Sequence, residues 1–535
     1  MARLWTFVVT GIAVFMVTMD NLVVTNALPV IRVELNTGLE GLEWTVNAYT
    51  LTFAVFLLTA AALGDRSRPA APARHRPGRV HPRLGGRRPL PDIGTLVAAR
   101  AVQGLGGAMV MPLTLTILAD AVPPEKRGTA LGIWGAMSGL GVGLGPVIGG
   151  AVVDQGSWQW IFWINVPVGL VLLPLVALLR ESRGGAGRLD PLGVGLATVA
   201  LFGLVFGLVR GGEHGWTSGP VLTSLVAGGV LLMVFLWWQA RAPHPMVPLT
   251  LFRGRGVASR GFAIANGVAF VMAFGMFGAV FVGAQFLQTV QGYSPLEAGV
   301  RTLPWTAVPA LAAPVSGILA DRIGARWVLA LSLALQAAGI GALGAIARPD
   351  VPYGELVLPF VLAGLGMGLF FAPIARVTLG FAPRGYEGVA SGTSNTLRQL
   401  GTVLGVAVLG VVFSTVGGYA DGQRFTDGMR AAELVGAVIL AAGAVLATFL
   451  PATGEAVEDT PVPAVAKPLA AVAADSYRRA RRAGDRATAA GAPGIPHRPT
   501  RRTRVPSPFG TCDRTSRTHR PFVWHRRYPA GNPPP

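Results

Sequence analysis

The sequence predicts an all-α polytopic membrane protein, and three observations support this fold class. Of the 535 residues, 51% are hydrophobic and only 13% are charged, whereas a soluble protein carries roughly 25% charged residues. Apolar runs of about 20 residues, long enough to cross a bilayer as helices, recur from near Trp5 to near Leu450. These runs are too numerous for a signal peptide to explain them.

Thirteen apolar segments are predicted to span the membrane. In chain order, their approximate limits are 6–30, 44–63, 93–119, 129–152, 160–179, 191–210, 220–239, 261–286, 303–320, 327–347, 355–380, 397–416 and 432–450. Segment 303–320 has no acidic residue in its interior, which argues against a strongly dicationic ligand.

The connections between these segments alternate in charge. One set is basic and contains Arg180, Arg183, Arg188, the arginines from Arg241 to Arg260, Arg322 and Arg326. The other set is acidic and contains Glu34, Glu40, Glu43, Asp154, Glu213, Glu297 and Asp421. Because basic connections are retained in the cytoplasm, we expect the basic set, the N-terminus and the C-terminal tail to be cytoplasmic. The net charge of +19 therefore does not indicate a nucleic-acid partner.

The stretch from Ser67 to Pro91 interrupts this alternation. It is rich in proline and arginine, so it cannot cross a bilayer as a helix. The preceding segment ends at the cytoplasmic side, and the segment from Ile93 must begin outside, so one crossing is missing. We interpret residues 66–91 as an aberrant, out-of-frame stretch that replaces a third helix. A genuine cytoplasmic loop is the alternative. The tail 455–535 is similar in composition, and we expect it to be disordered.

Residues recur at a constant spacing in the two halves of the chain. Gly104-Leu105-Gly106 is followed by Gly364-Leu365-Gly366, and Pro123 is followed at the same spacing by Pro383. Two related halves are typical of secondary transporters, which bind substrate between them. With the missing helix restored, the spans number six, two and six. The predicted domains are an N-terminal half (1–183), two additional helices (184–245), a C-terminal half (246–454) and the tail (455–535).

The segment from Gly135 to Gly150 is rich in glycine although its other residues are apolar. One row, four residues apart, comprises Gly135, Gly139 and Gly143, and a second comprises Gly141, Gly145 and Gly149. Such rows let helix backbones touch within a bilayer, and Pro146 is expected to bend the helix. The ending Gly145-Pro146-Val147-Ile148-Gly149-Gly150 resembles the antiporter signature of major facilitator drug:proton exporters. Tight packing without further function is the alternative.

Three further motifs resemble the fourteen-span drug:proton antiporters of the major facilitator superfamily. The stretch Met19 to Pro29 is similar to the first-helix motif around Asp20, with Leu22 in place of threonine. The stretch Leu96 to Gly106 is similar to the fourth-helix motif and contains Arg100 and Gln103. The superfamily's cytoplasmic-loop motif is matched closely by Gly317, Asp321, Arg322, Gly324 and Arg326, and only partly by Asp65 and Arg66.

The resemblance implies a major facilitator fold and proton-coupled export of amphipathic drugs or antibiotics across the cell membrane. Since burial in a membrane favours the neutral form of a carboxyl group, we expect Asp20 to exchange protons; a structural, hydrogen-bonded aspartate is the alternative. The resemblance implies that Arg100 takes part in proton coupling. A purely structural ion pair is the alternative for this residue. The resemblance also implies a cytoplasmic gate at the two Asp-Arg motifs; basic residues that only anchor the helix ends at the cytoplasmic surface, Arg326 above all, are the alternative. Possible cavity residues are Trp44, Asn47, Tyr49, Gln103, Arg398 and Gln399, although Trp44 and Tyr49 equally suit interface anchors.

Other functions are less consistent with the sequence. A carrier of another small metabolite or a sugar would share the fold but not the glycine-rich signature. A membrane-embedded enzyme would need a cluster of reactive side chains, and the chain has seven histidines and one cysteine, Cys512. Neither Lys126 nor Lys467 lies in a phosphate-binding loop, so ATP is not the expected energy source. A membrane anchor with a nucleic-acid-binding or lipid-binding tail is disfavoured because the tail lacks apolar periodicity. We expect no cofactor or metal, and a monomer whose partners are an amphipathic substrate, protons and the bilayer.

Overall fold

Helices make up most of the described part of the chain. The computed structural model describes residues 2–64, 92–121, 127–165, 190–243, 245–253, 256–383 and 386–451. These residues belong to one unit, Met1–Pro461. The predicted aberrant stretch 66–91, the gate residues Asp65 and Arg66, and the tail lie outside the described residues.

Sixteen helices are present in the described ranges. Those before residue 165 are α1 (Ala2–Glu34), α2 (Leu39–Gly64), α3 (Ile93–Ala121), α4 (Arg127–Gln155) and α5 (Trp160–Trp163). The middle of the chain forms α6 (Pro191–His214), α7 (Gly219–Gln239) and α8 (Thr250–Arg253). The remaining helices are α9 (Val257–Thr289), α10 (Pro295–Arg301), α11 (Leu303–Thr306), α12 (Val308–Ile323), α13 (Ala325–Ile346), α14 (Tyr353–Gly380), α15 (Glu387–Val416) and α16 (Gly422–Thr448).

The described helices include ten that are long and apolar enough to cross a membrane. An eleventh is counted if the two segments of α1, Val8–Asp20 and Leu22–Glu34, form one span bent by 41°. Predicted segment 303–320 is interrupted at Ala307, because Pro309 has no amide hydrogen to donate to the carbonyl of Trp305. Most of predicted segment 160–179 lies outside the described residues.

Helices α2 and α3 run parallel. A Cβ atom added to Gly41 would lie 2.9 Å from Cγ1 of Ile93, and one added to Gly104 would lie 2.3 Å from the carbonyl oxygen of Tyr49. Both helices therefore begin at the same end of the bundle, and α2 ends at the end opposite to the start of α3. The charge alternation likewise predicts that α2 ends on one side of the membrane and that α3 begins on the other.

Connections 35–38, 290–294, 347–352 and 417–421 meet at one end of the bundle, which we call the acidic end. The side chain of Gln291 donates a hydrogen bond to the carbonyl of Pro349 at 2.7 Å. The guanidinium carbon of Arg32 lies 4.0 Å from the ring centroid of Tyr419. We call the opposite end, where α12 meets α13 and α14 approaches α15, the basic end.

The two halves repeat the same helix pairing at the spacing of the repeated glycine motifs. Helix α3 begins at Ile93 and α14 at Tyr353, and α4 begins at Arg127 and α15 at Glu387, so both pairs of helices keep this spacing. In the first half α4 packs on α1, and in the second half α15 packs on α9. The structure thus confirms the two related halves.

One predicted glycine row forms a continuous backbone contact with α1. Cβ atoms added to Gly141, Gly145 and Gly149 would approach the carbonyl oxygens of Phe15, Met19 and Val23, at 2.5, 3.3 and 2.8 Å. The other row behaves differently. A Cβ on Gly139 would meet no atom within 4 Å, and one on Gly143 would lie 3.3 Å from the carbonyl oxygen of Thr306 in the C-terminal half. Gly135 lies in α4, which continues through Pro146.

A second glycine row, which sequence reasoning missed, performs the same role in the C-terminal half. Cβ atoms on Gly401 and Gly405 would lie 2.3 and 2.1 Å from the carbonyl oxygens of Phe270 and Phe274 on α9. These two glycines follow Gly141 and Gly145 of α4 at the spacing that relates the two halves. Each half is therefore held together by a pair of helices in backbone contact.

The two additional helices α6 and α7 pack on each other, and α6 contacts both α2 and α15. Trp44 of α2 lies against Phe202 and Phe206 of α6, with ring centroids 5.4 and 6.3 Å apart. At the start of α6, the carboxylate of Asp190 accepts hydrogen bonds from Trp238 and Gln239 of α7, at 2.8 and 2.7 Å. These contacts join the helix pair to both halves of the bundle.

The prediction that Glu43 belongs to an acidic connection is wrong. Helix α2 begins at Leu39 rather than near Trp44, so Glu43 lies within the helix, and its residue is 2% exposed. The absence of a side chain at Gly410 of α15 leaves room for the Glu43 carboxyl group, because a Cβ there would overlap Oε1.

We predict that Gly405→Ala destabilises the protein by about 1–3 kcal/mol, because the new methyl group would overlap the backbone of α9. Gly229→Ala in α7 is the matched control. A Cβ there would meet nothing within 4 Å, so a change within about 0.5 kcal/mol is expected. Denaturant unfolding in detergent micelles measures both values, and equal losses would contradict the backbone contact.

Candidate functional site

Asp20 is the centre of a buried polar cluster at the bend of α1. Its residue is 2% exposed. Its Oδ2 atom accepts a hydrogen bond from Nη1 of Arg100 at 2.5 Å, and its Oδ1 atom accepts from Gln103 Nε2 at 2.6 Å and from Asn165 Nδ2 at 3.0 Å. Three donors directed at the two oxygens suit an ionised carboxylate, which is an acceptor only.

Arg100 is enclosed as completely as its partner. Its Nε atom donates to the carbonyl oxygen of Thr45 at 3.0 Å, and Nη1 also donates to Oε1 of Gln103 at 2.8 Å. The guanidinium carbon lies 4.3 Å from the ring centroid of Tyr49, a cation–π geometry. Arg100 of α3 therefore connects α1 with α2, and its position is determined by contacts on all sides.

The local sequence explains how the cluster forms. Arg100 and Gln103 are three residues apart and so share one face of α3. Gly104, one position further, allows α2 to approach closely enough for Tyr49 to cover the guanidinium group. Sequence reasoning identified Asp20, Arg100 and Gln103 but missed Asn165. The signal for Asn165 was present, since an amide within the apolar segment 160–179 is costly unless it has a partner.

A cavity lies between the two halves, and the part of α1 that follows Asp20 contributes to it. Its lining is mostly apolar and comprises Leu22, Thr25, Asn26, Val142, Pro146, Met276, Phe277, Val280, Gly283, Ala284, Thr302, Trp305, Thr306, Phe360 and Met367. Leu22 follows Asp20 by two residues on α1, so the two side chains leave the helix on different sides. The polar lining groups are hydroxyls, amides and an indole, and no charged side chain among the described residues lines this cavity. Such a surface suits a ligand that is mostly apolar with a few polar groups.

None of the six predicted cavity residues lines this cavity. Trp44 packs against α6, and Tyr49 and Gln103 contact Arg100. Asn47 is fully buried. Arg398 donates to Oδ1 of Asn395 at 3.2 Å, and Gln399 is 6% exposed. On α2, Trp44 is directed at α6 and Tyr49 at α3. The aromatic residues of α2 therefore do not face the cavity.

The two halves contact each other closely towards the acidic end. Gln288 of α9 donates to the carbonyl oxygen of Asn26 at 2.9 Å, and Thr306 donates to that of Gly143 at 3.1 Å. A Cβ on Gly150 would lie 2.3 Å from the carbonyl oxygen of Pro295. The halves are thus in backbone contact on this side of the cavity.

Tyr419 covers the same side near the surface. Its hydroxyl donates to Oε1 of Gln285 at 2.6 Å, and Arg32 lies over its ring. Burial raises the pKa of the Tyr419 hydroxyl well above its usual range, so the group remains a neutral donor. These contacts close the acidic end of the interface between the halves.

The second Asp-Arg motif lies at the basic end, between α12 and α13. Asp321 forms an ion pair with Arg376 of α14, and both side chains are exposed. This partner was not predicted. Arg322 is exposed, and Arg326 lies over the ring of Trp327 at 5.0 Å. Gly324 has a φ of 87°, which favours glycine and explains its place in the motif. A Cβ on Gly317 would meet nothing within 4 Å.

Two related halves with a cavity between them define a membrane transporter of the secondary type. The sequence profile of the Major Facilitator Superfamily matches residues 88–305 and 265–484. The chain belongs to this superfamily and is a multi-pass membrane protein. As members of this superfamily are transporters, it is not an enzyme.

Similar proteins include resistance and export proteins of bacteria. Multidrug resistance protein Stp of Mycobacterium tuberculosis (strain ATCC 25618 / H37Rv) is 34% identical over 433 residues, covering 77% of this chain and 76% of that protein. The tetracenomycin C resistance and export protein of Streptomyces glaucescens is 34% identical over 423 residues, with coverages of 77% and 76%. The methylenomycin A resistance protein of Streptomyces coelicolor is 32% identical over 416 residues, with coverages of 77% and 86%.

Solved structures show the same fold. A D-xylose-proton symporter matches with a TM-score of 0.54 and 14% identity, covering 84% of this chain and 99% of that one. A partially occluded inward-open structure of the xylose transporter XylE from E. coli matches with a TM-score of 0.51 and 13% identity, with coverages of 86% and 100%. At this level of identity, the matches establish the fold.

We predict that Arg100→Gln destabilises the protein by about 3–5 kcal/mol, because it leaves the buried carboxylate of Asp20 without its charged partner. The double variant Asp20→Asn with Arg100→Gln should lose less than the sum of the two single losses. The control is Arg348→Gln, which breaks the exposed pair with Glu355 at 2.7 Å and should cost about 0–1 kcal/mol. Unfolding in detergent of the two single variants, the double variant and the control tests these values, and additivity of the buried pair would contradict the direct contact.

Proposed function

We propose that this protein is a proton-coupled exporter that moves amphipathic drugs or antibiotics across the cytoplasmic membrane by alternating access. The observation that carries the proposal is the burial of Asp20 against Arg100 on α1, a helix that also lines a cavity without charged lining among the described residues. An intramembrane carboxyl group is costly, and such groups commonly belong to proton pathways. The names of the similar proteins, which refer to multidrug resistance and antibiotic export, support the substrate class.

The proton step follows from the donors around Asp20. In the described conformation the carboxylate is stabilised by Arg100, Gln103 and Asn165. When Asp20 accepts a proton, the ion pair with Arg100 is lost and at least one of the three donors loses its acceptor. Protonation therefore weakens the link between α1 and α3. Return of the proton to water restores the ion pair, so the proton controls how α1 is held.

The cavity lining supports an amphipathic substrate. Apolar side chains dominate, and Thr25, Asn26, Thr302 and Thr306 provide hydrogen-bonding groups. A sugar presents hydroxyl groups on all sides, and burying them against an apolar lining would leave them unpaired. The lining therefore favours drug export over the alternative of a sugar carrier with the same fold.

The proposed orientation places the basic end in the cytoplasm together with both termini. The close contacts between the halves then lie on the outer side of the cavity. In this conformation substrate reaches the cavity from the cytoplasm, while protons arrive from outside in the alternate one. The Asp321–Arg376 pair would act at the cytoplasmic mouth within the C-terminal half.

The helix contacts suggest how the halves rock. Glycine rows on α4 and α15 let each of these helices touch its partner by backbone alone. At the other surface of α4, Gly143, Pro146 and Gly150 contact the C-terminal half near Thr306, Gly299 and Pro295. We propose that α4 moves with α1 and separates from α10 and α11 when the outer side opens.

We predict that vesicles with an acidic lumen accumulate tetracenomycin C or ethidium only while the pH gradient lasts. Asp20→Asn should slow this gradient-driven uptake at least about 100-fold, since proton-transfer groups commonly contribute rate factors of this size or more. Glu297→Gln is the matched control, because Glu297 is an exposed carboxylate in a capping box and should have no effect. Undiminished accumulation by Asp20→Asn would remove Asp20 from the mechanism.

A further inference from the structure

Glu433 of α16 is a buried acid that the Asp20 cluster does not involve. Its residue is 0% exposed. Neither of its carboxyl oxygens has a hydrogen-bond partner among the described residues. Glu433 is the second residue of the predicted apolar segment 432–450. No role was predicted for this residue from the sequence. It lies in the C-terminal half, whereas Asp20 lies in the N-terminal half.

Two glycines on neighbouring helices make room for the Glu433 side chain. A Cβ added to Gly283 of α9 would lie 3.2 Å from Oε1 of Glu433. A Cβ added to Gly344 of α13 would lie 3.1 Å from the Cβ of Glu433. The carboxyl group is therefore enclosed between α9, α13 and α16, with its Oε1 atom directed at the backbone of α9.

No ion pair compensates this acid within the described part of the chain. The charged residues on the helices packed against it are Arg260 of α9, Arg326 of α13, Glu387 and Arg398 of α15, and Arg424, Asp427 and Arg430 of α16 itself. Arg260 and Arg326 lie near the starts of α9 and α13, whereas Glu433 contacts these helices near their ends, at Gly283 and Gly344. Arg430, one turn before Glu433, is exposed, and no ion pair joins the two.

An ionised carboxylate in these surroundings would be uncompensated. Burying a charge without a partner is so costly that the group normally becomes neutral instead. Glu433 therefore carries a proton in this conformation. Asp20, in contrast, faces three donors in the same conformation.

The wall between Glu433 and the central cavity is thin. Gly283, where an added Cβ would lie 3.2 Å from Oε1 of Glu433, is one of the cavity-lining residues. Trp305 lines the cavity at the same place, and its Nε1 atom also lacks a hydrogen-bond partner among the described residues. Because Gly283 has no side chain, the wall between Glu433 and the cavity is thinnest at this residue. We call this gap at Gly283 the notch.

We infer that Glu433 is a second protonation site of the transport cycle, which exchanges its proton with the cavity past Gly283. This inference rests on the proposed function. The proton passes from water to a carboxyl oxygen of Glu433 and returns to water on the other side of the membrane, and no other bond changes. With Asp20, the cycle then moves two protons for each substrate, one through each half.

The main experiment measures the accumulation limit of ethidium in vesicles that contain the full-length protein. The membrane potential is held at zero, and a pH gradient of one unit, acidic inside, is imposed. With two protons per substrate the limit is about 100-fold, and with one it is about 10-fold, because each proton contributes one factor of the gradient. Glu433→Gln, which is isosteric, should therefore lower the limit about tenfold while transport continues.

The outcomes separate this inference from the proposed function. A full accumulation limit in Glu433→Gln overturns the second site and leaves proton-coupled export intact. Failure of the unaltered protein to accumulate ethidium under the gradient overturns the coupled cycle itself, and the second site with it. Loss of all gradient-driven accumulation in Glu433→Gln, with the folded protein retained, would show a single shared proton and also overturn the inference.

A second measurement tests the protonation of Glu433 without transport. Dicyclohexylcarbodiimide reacts with protonated carboxyl groups in apolar surroundings, and mass spectrometry locates the product. We expect modification of Glu433, decreasing as the pH rises, with little modification of exposed Glu297. Absence of modification at Glu433 at any pH that keeps the protein folded would overturn the inference.

The notch itself has a matched pair of variants on α9. A Cβ at Gly283 would lie 3.2 Å from Glu433, and one at Gly267 would lie 3.3 Å from the side chain of Leu446, so both alanine variants introduce similar crowding. Only the methyl group added by Gly283→Ala would lie between the Glu433 carboxyl group and the cavity. We expect it to slow gradient-driven ethidium transport severalfold while Gly267→Ala does not, and equal rates in the two variants would contradict access past Gly283.

Discussion

The buried ion pair between Asp20 and Arg100 is the interaction on which the rest of this structure depends. A charge cannot lie within a membrane protein at low cost unless it is paired and hydrogen-bonded. The surrounding sequence meets both conditions from three separate helices and the segment that carries Asn165. The pair therefore fixes the relative positions of α1, α2 and α3, and any change in its charge alters how these helices are held.

Backbone contact is the second constraint, and it explains why glycine is so frequent. In a bilayer the hydrophobic effect does not draw helices together, so close packing and hydrogen bonds must do so. The rows on α4 and α15 meet this need at equivalent positions of the two halves. At Gly143 and Gly150, where α4 meets the C-terminal half, the contact also lacks interlocking side chains. We suggest that this lets the contacts between the halves separate while each half stays intact.

Much of the fold was predictable because membrane spans have a strong signal in hydropathy. The spans, the related halves and the two additional helices follow from apolar runs and from spacing. Glu43 was misplaced because an acid near a helix start resembles a loop residue, and only the tertiary contact with Gly410 shows its burial. The break at Ala307 was missed because Pro304 and Pro309 lie within a run that is apolar throughout.

The candidate site was predictable only in part. Asp20, Arg100 and Gln103 lie in motifs with a fixed spacing, whereas Asn165 comes from a distant part of the chain and Arg376 from a part of α14 outside the repeated glycine motif. The cavity lining depends on how helices rotate about their axes, which the pattern of a nearly uniform apolar helix does not specify. For this reason the polar and aromatic residues of α2 were expected in a cavity that α1, α4, α9 and α14 line instead.

The most direct test of the central claim is the number of protons exchanged when substrate binds. Calorimetric titration of the purified protein with ethidium, in buffers of different ionisation enthalpy, gives this number. If Asp20 changes protonation as its pair with Arg100 opens, the number should differ between the unaltered protein and Asp20→Asn by about one proton. An identical proton count in the two proteins, with ethidium bound by both, would contradict the account.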